Sequence, residues 1–255
     1  MANYREELEF ALSLADESRG ILRGHFGSQM KVEWKGDQTP VTLADRATEE
    51  AMRTRMTRET PAYGIIGEEF GNEPGTSGLE WVVDPIDGTK AFIHGVPLFG
   101  TLIALLDQGE PVLGIIDLPA LGERVWATRG GGAFRNGAPC RVSTVSSLDE
   151  ALLLDGSATT MERLGYGPAW AELRRQARLH RGWGDCYGHF LVATGAAEIM
   201  ADPLVEIWDI APMATILPEA GGRFTSFGGA TSVRDRSGFS SNGLLHQTVL
   251  QALTA

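Results

Sequence analysis

Apolar residues recur near helical spacing over residues 4–26, where Leu8, Leu12, Ala15, Leu22 and Phe26 are interleaved with Glu, Asp and Arg. The spacing predicts an amphipathic helix, ended by Gly24 and Gly27. A short strand, Lys31–Trp34, and a loop, KGDQTP, follow, with Pro40 holding Thr39 extended. Thr42 opens a second helix to about Arg58, and Thr42 with Asp45 fits the S/T-x-x-D/E capping box. Tyr63–Ile66 reads as a strand running into Gly67-Glu68-Glu69, residues 72–79 as a polar loop, and Trp81-Val82-Val83 as a buried strand that ends in Asp84 and Asp87. Leu98–Leu106 and Pro111–Leu118 pair around Asp107-Gln108-Gly109; Arg124–Thr128 and Ala133–Arg141 continue the antiparallel pattern, with a hairpin turn at Asn136-Gly137.

Past residue 145 strands and helices alternate. Ala151–Leu154, Glu198–Ala201, Arg223–Ser226 and Gly238–Ser241 read as strands. Pro168–Arg178, Asp185–Thr194, Trp208–Ala220 and Leu244–Leu253 read as helices, the third stopped by Gly221-Gly222. Pro212 falls in the first turn of that third helix, where proline is tolerated, and Pro218 should kink it or end it early. The expected architecture is a mixed fold: an α+β half over 1–145 that carries most candidate ligands, and an α/β half over 146–255. No repeat, low-complexity tract or linker separates the halves.

Composition narrows the classes. With 255 residues, 43% hydrophobic and 22% charged, the chain suits one large domain or two packed halves. No apolar run approaches the ~20 residues of a membrane helix, and the first residues lack the basic-then-apolar order of a secretory signal. Cys140 and Cys186 lie far apart, in no ligand spacing, and read as reduced thiols of a cytoplasmic protein. A net charge of -11 disfavours nucleic acid. It is compatible with a phosphate ester where divalent cations stand between the ester and the carboxylates.

The candidate chemistry gathers at the ends of predicted elements: Glu68 and Glu69 after one strand, Asp84 and Asp87 after the next, and Asp209 at a helix start. Such an oxygen-donor set suits hard divalent ions such as Mg²⁺, whose shells also take water and phosphate. Pro85 stiffens the turn so that Asp84 and Asp87 can face one cavity, and Ile86 offers its carbonyl rather than its side chain. Gly88 and Thr89 open a helical turn whose N–H groups would receive phosphate oxygens, with the Thr89 hydroxyl on a nucleophilic water. Taken singly, Gly-Glu-Glu is an ordinary charged turn, Asp209 an ordinary N-cap and Asp45 a capping-box acid. Asp-Pro-x-Asp-Gly-Thr after an apolar strand is more than a turn requires. Haloacid-dehalogenase-type phosphatases carry Asp-x-Asp-Gly-Thr with a nucleophilic first Asp; here Pro85 occupies that place, so metal-activated water fits better.

WVVDPIDGTKAFIH at 81–94 and WDIAPMATILPEAGG at 208–222 resemble the two signatures of the inositol-monophosphatase superfamily, and GEEF at 67–70 and PVTLAD at 40–45 resemble its other metal-site elements. The resemblance covers essentially the whole chain. It implies a layered α-β-α-β-α sandwich, two or three Mg²⁺ ions, phosphomonoester hydrolysis and a homodimer. Position by position it implies Glu68, Asp84, the Ile86 carbonyl, Asp87 and Asp209 as metal and substrate-phosphate ligands, with Glu69 in support. Asp45 and Thr89 would act on the attacking water, and Gly88 with Thr89 would bind phosphate.

RGWGDCYGHFLVATG at 181–195, AEIMADP at 197–203, EAGGRFTSFGG at 219–229 and LPALGERVWATRGGGAF at 118–134 look like the histidinol-phosphate phosphatase branch. That implies L-histidinol phosphate, a late intermediate of histidine biosynthesis, as substrate, and makes Arg181, Asp185 and Asp202 candidate substrate contacts. The plainer readings are a surface ion pair for Arg181, a helix N-cap for Asp185 and a strand-end turn for Asp202. Inositol monophosphate or a related sugar phosphate is the alternative substrate, and a noncatalytic metal- or phosphate-binding regulator the alternative class. His94, His189 and the tryptophans Trp34, Trp126 and Trp183 read as structural.

Overall fold

The computed structural model describes residues 4–28, 32–34 and 40–254. Of the expected KGDQTP loop, residues 35–39 with the extended Thr39 lie outside that range, as does the first residue of the Lys31–Trp34 strand; Pro40, expected in the loop, opens a strand instead, and the Trp34 side chain is not described. Helix α1 (Arg5–His25) is followed by a small antiparallel pair, β1 (Val32–Trp34) with β2 (Pro40–Thr42), and by α2 (Leu43–Glu59). The capping box is present: the Thr42 side chain accepts from the Ala44 amide, and Asp45 Oδ2 accepts from the Thr42 amide at 2.7 Å.

Among the described residues the first large sheet has eight strands: β3 (Gly64–Gly67), β4 (Gly71–Glu73), β5 (Leu79–Asp87), β6 (Gly100–Asp107), β7 (Glu110–Leu118), β8 (Glu123–Thr128), β9 (Gly132–Arg135) and β10 (Ala138–Pro139). Their order is β10-β9-β8-β7-β6-β5-β3-β4, antiparallel throughout except for the parallel β3–β5 pair. Both expected hairpin turns have positive φ at their two central residues (Gln108 and Gly109; Asn136 and Gly137), the backbone that joins two twisted strands directly. The stretch expected as a polar loop at 72–79 begins instead as β4, an exposed edge strand whose polar composition hides it from a hydrophobic pattern.

The second sheet is built from β11 (Leu152–Asp155), β12 (Leu179–Arg181), β13 (Ile199–Asp202), β14 (Arg223–Thr225) and β15 (Gly238–Ser241) in the order β12-β11-β13-β15-β14. β12, β11 and β13 run parallel, and β15 is antiparallel to both of its neighbours, β13 and β14. Around it lie α4 (Ala158–Arg163), α5 (Gly167–Gln176), α6 (Asp185–Ala193), α7 (Ile207–Ile210), α8 (Met213–Glu219) and α9 (His246–Thr254); the short α3 (Thr89–Ile93) follows β5. The strand β12 and the helix α4 have no counterpart in the sequence reading.

Side-chain alternation along the strands produces the layers. On β6, Ile103 and Leu105 face α1 and α2 and pack with Leu14, Met52 and Trp81. The other face of the first sheet, with Leu102, Ile116 and Val125, packs through α6 and α8 onto Leu154, Met200 and Phe224 of the second sheet. Leu153, Ile199 and Phe239 point away from there to α5 and α9. The order is therefore helix, sheet, helix, sheet, helix, as the resemblance implies. No helix among the described residues is long and apolar enough to cross a membrane.

One expected helix is two. Residues 208–220 divide into α7 and α8 although Ala211 and Pro212 both keep helical dihedrals. The cause is the N–H that Pro212 lacks, so the ladder is interrupted without a bend in the dihedrals. Pro218 sits inside α8 one residue before its end but does not end it early: the helix runs to Glu219, one residue short of the expected Ala220, and closes at Gly221, where φ is 87° and the amides of Gly221 and Gly222 bond the carbonyls of Pro218 and Leu217. Against this segment Gly114 is required by space: a Cβ there would lie 2.4 Å from the Pro212 carbonyl oxygen.

A buried histidine makes the fold acid-sensitive. His246 is fully buried, stacked on Phe239 with ring centroids 4.3 Å apart, and its two ring nitrogens meet Thr225 Oγ1 and Ser241 Oγ. Burial pushes its pKa down to about 4 from 6.5. A depressed histidine pKa contributes stability that is whole above the unfolded value and is lost as pH falls through the folded one. Urea unfolding at pH 7 and pH 4 should show the wild type losing up to about 3 kcal/mol more than His246→Asn over that interval.

Candidate active site

The site begins at an irregularity in β5. Asp84 stands opposite Leu102 and Asp87 opposite Gly100, so three steps on one strand match two on the other. In a regular strand residues 84 and 87 would face opposite sides; the extra residue turns both carboxylates to one side. Pro85 contributes no N–H to the ladder there, and its carbonyl takes the Thr101 hydroxyl at 2.9 Å. The Asp84 Oδ1 accepts the Ile86 amide at 2.9 Å, which closes the turn. The Ile86 side chain, given no part in the sequence reading, is buried with Leu22, Ala44, Phe92 and Phe99 and anchors the turn to the core. Its carbonyl receives the Thr89 hydroxyl at 2.9 Å and keeps a second lone pair for another ligand.

Three further elements converge on this turn. Asp209 is the third residue of α7 rather than its N-cap; Glu206 caps that helix, and Asp209 Oδ2 accepts the Glu206 amide at 2.8 Å. Carboxylate oxygens of Asp84, Asp87 and Asp209 lie within 4.8 Å of one another. Glu68 follows β3, whose Gly67 is paired with Val83, so that it emerges beside Asp84. Asp45 at the start of α2 directs Oδ2 to its cap and places Oδ1 3.5 Å from the Thr89 hydroxyl.

These groups resist ionising together. Burial, then the charges of Glu68, Asp87 and Asp209, push Asp84 well above the ordinary carboxylate range. Burial, then Asp185 and Asp209, do the same to Asp87. Asp209 is pushed up to about 8 by burial, opposed by its bond from Glu206 and reinforced by Glu68. Asp45 is raised by burial against the bonds from Thr42. Two full charges at the separation of this cluster repel by about 3 kcal/mol even at an effective dielectric near 20. Three such pairs rival the whole stability of a domain. A divalent cation removes that conflict, and an all-oxygen donor set suits a hard one. The residues therefore fit the ion.

Beside the acids, Gly88 adopts φ 85°, a left-handed backbone that glycine alone takes freely. A Cβ on Gly88 would lie 3.1 Å from the Leu98 carbonyl oxygen and 3.3 Å from Asp185 Oδ2, so Asp185 reaches to the edge of this turn. Asp185 is the first residue of α6, also with positive φ, and makes no capping bond; the N-cap is Gly184. Exposed as a residue, it sets its carboxylate into the cleft, where desolvation and then Asp202 push it up to about 6, with Lys90 and His189 acting oppositely. The next amide, that of Cys186, donates to Asp87 Oδ2 and ties α6 to the acid cluster.

Asp202 ends β13 and bonds His189 at 3.1 Å. Arg181 ends the edge strand β12 fully on the surface; it donates to the His180 carbonyl and forms no ion pair among the described residues. Asp45, Glu68, Asp84, the Ile86 carbonyl, Asp87, Thr89, Asp185, Asp202 and Asp209 thus come together, while Arg181 stands exposed on β12. The Glu69 amide is held by Glu49 at 2.8 Å.

Glu49 is a supporting residue that sequence reading missed. It is fully buried, accepts the amides of Glu69 and Phe70, and pairs with Arg53 at 2.8 Å, while Arg53 also donates to the Gly71 carbonyl. Gly67 leaves the room: a Cβ there would meet Glu49 Oε1 at 2.1 Å. This pair fixes the loop that carries Glu68. In the sequence, Glu49 and Arg53 are one i,i+4 pair among several on α2, indistinguishable from solvent-facing ones such as Arg55–Glu59.

Hard-ion donors facing a backbone turn suited to anions are what the hydrolysis of a phosphate ester requires, and the class so defined is a phosphomonoesterase on a layered α-β-α-β-α frame. Comparison with known proteins narrows the class. The model of the inositol monophosphatase family matches residues 3–255, and the chain belongs to that family. It is 41% identical to the histidinol-phosphatase of Mycobacterium tuberculosis over 98% of each chain. It is 42% identical to that of Chlorobaculum parvum, over 97% of this chain and 96% of the relative. Its fold superposes on the solved IMPase of Thermotoga maritima with a TM-score of 0.89, at 32% identity over 98% of this chain and 97% of that one.

Proposed function

We propose that the protein hydrolyses L-histidinol phosphate to L-histidinol and phosphate, with Mg²⁺ as its ion. The observation that carries this reading is the acid placed beside the phosphate turn: Asp185 Oδ2 lies where a Gly88 Cβ would be 3.3 Å away, and Asp202 is near enough to raise its pKa. A substrate whose phosphate sits on Gly88 and Thr89 therefore brings its next few atoms against two carboxylates, which suits a cationic amine. The full-length similarity to histidinol-phosphatases supports the same substrate.

Asp84, Asp87, Asp209, Glu68 and the Ile86 carbonyl would hold two or three Mg²⁺ ions. Bound there, the ions supply Lewis-acid charge that makes water a better nucleophile and neutralises the phosphoryl oxygens. The protein's own groups do the remainder. The Gly88 and Thr89 amides orient the phosphate. Thr89 Oγ1, with its proton directed to the Ile86 carbonyl or to Asp45, accepts from the attacking water and aims it at phosphorus. Asp45, its carboxyl pKa raised by burial, takes the water's proton as the new P–O bond forms, and the departing alcohol oxygen takes a proton from solvent as the old P–O bond breaks. Glu69 and Glu49 keep the Glu68 loop in place. Asp185 and Asp202 receive the amine, with Arg181 at the rim of the cleft. We place the enzyme in the cytoplasm as a homodimer, the state implied by the family resemblance. Phosphate release from L-histidinol phosphate should require Mg²⁺ and stop on addition of EDTA; release of no phosphate from any ester with Mg²⁺ would return the chain to a binding role.

A further inference from the structure

Behind the substrate side of the cleft lies a buried polar chain that the reaction itself does not use. Ser240 Oγ meets His189 Nδ1 at 2.7 Å, and His189 Nε2 meets Asp202 Oδ2 at 3.1 Å. His189 is 1% exposed and Ser240 is fully buried, whereas Asp202 opens toward the cleft. The imidazole sits on α6 between the two sheets, edge-on to Phe224. An imidazole in such a layer needs partners for both nitrogens, or it costs a few kcal/mol more than an apolar side chain of similar size. Here both are satisfied, and each bond has a direction. An ionised carboxylate only accepts, so the ring proton lies on Nε2 and points at Asp202; Nδ1 then accepts from the Ser240 hydroxyl.

The consequence falls on Asp202. The bond from His189 holds Oδ2, while Oδ1 has no hydrogen-bond partner among the described residues and the side chain is 13% exposed. The space in front of Oδ1 is kept by a glycine: a Cβ on Gly156 would stand 2.4 Å from Oδ1 and 3.9 Å from the Asp185 amide nitrogen. Gly184 does the same for the backbone, since its Cβ would meet the Gly156 Cα at 2.4 Å. The end of β11 and the start of α6 are thus packed backbone against backbone, with the Asp202 carboxylate of β13 lodged against Gly156 beside them. The ends of parallel strands are also where open α/β sheets hold their ligands.

We infer that His189, supported by Ser240, is a positioning residue for substrate selection: it locks Asp202 with Oδ1 presented to the cationic amine of the substrate. This rests on the proposed histidinol phosphate activity and names the device by which the amine is favoured. Without the Nε2 donor, Asp202 regains its side-chain rotations and turns to water, so recognition of the amine is lost while the phosphate and water machinery around Asp87, Thr89 and Asp45 is untouched.

The test compares kcat/KM for L-histidinol phosphate with that for p-nitrophenyl phosphate, which has no amine, in wild type, His189→Leu and His189→Gln. His189→Leu should lower the ratio of the two by about tenfold or more, the range for a lost hydrogen bond to a charged group. The loss should appear in KM for the amine ester, with kcat on both esters within about twofold of wild type. His189→Gln keeps an N–H donor near the Nε2 position and should recover most of the ratio. Equal losses on both esters, an unchanged ratio, or no recovery with Gln would overturn the role. Should His189→Leu not fold, Ser240→Ala decides: removing the Nδ1 partner should lower the ratio about threefold, and an unchanged ratio defeats the inference. A wild type without preference for the amine ester defeats both this role and the proposed substrate, whereas a wild-type preference that all variants keep defeats the positioning role alone.

Discussion

Asp87→Asn is expected to lose at least ~10³-fold in kcat while making the metal-free protein more stable. Asn keeps the shape and can still accept the Cys186 amide, so the fold is retained. What it removes is one charge from a set whose members already repel: the Asp87 carboxyl is held well above its usual range by burial and by Asp185 and Asp209. A carboxyl with a raised folded pKa gives stability that is present at low pH and is lost as pH rises from its unfolded value through the folded one. In EDTA, wild-type stability should therefore decline between about pH 4 and pH 8, the upper end being set by Asp209 at about 8. The variant should decline less, and at pH 8 its Tm should exceed that of the wild type by about 2–4 °C for each kcal/mol of repulsion relieved. With Mg²⁺ the order should invert, because only the wild type gains the ion's binding energy. Thermal unfolding in EDTA and in Mg²⁺, with steady-state kinetics on the same samples, reads both effects; full activity in Asp87→Asn would remove Asp87 from the ligand set.

The second large effect is expected at Asp45. Its two oxygens have separate duties: Oδ2 caps α2, and Oδ1 lies 3.5 Å from the Thr89 hydroxyl. Asp45→Asn can keep the cap through its carbonyl oxygen and loses only a charge at a helix N-terminus, about 0.3–1 kcal/mol. A proton acceptor for the attacking water contributes ~10²–10⁴ in rate. Stability nearly unchanged with kcat down by that factor and KM little altered would separate the chemical duty from the structural one. A variant that loses stability but keeps its kcat would show that Asp45 only caps.

Much of this was legible before any coordinate. The capping box at Thr42–Asp45, the Asn136-Gly137 turn and the apolar strands depend on local rules, and the structure follows them. The acids at 84 and 87 could be named because two carboxylates, a proline and a Gly-Thr in one turn exceed what a turn needs, whereas Asp209 taken alone looks like an N-cap and is named only through the resemblance of 208–222 to a family signature. What stayed hidden depends on tertiary packing. The bulge that brings Asp84 and Asp87 to one side is a matter of pairing with β6. Glu49 and Arg53 look like a surface pair until β3 covers them. Asp185 resembles an N-cap, but positive φ and the close approach of Gly156 and Gly184 turn it into the cleft instead. His189 lies on an apolar helix face and reads as core; its two partners come from strands 13 and 51 residues away.

The most direct test of the account is a side-by-side measurement of kcat/KM, with Mg²⁺, for L-histidinol phosphate, inositol 1-phosphate and fructose 1,6-bisphosphate. The acids at 185 and 202 predict that L-histidinol phosphate leads by at least about tenfold, ~1.4 kcal/mol of transition-state discrimination. A lead by either sugar phosphate, or parity among the three, would contradict it.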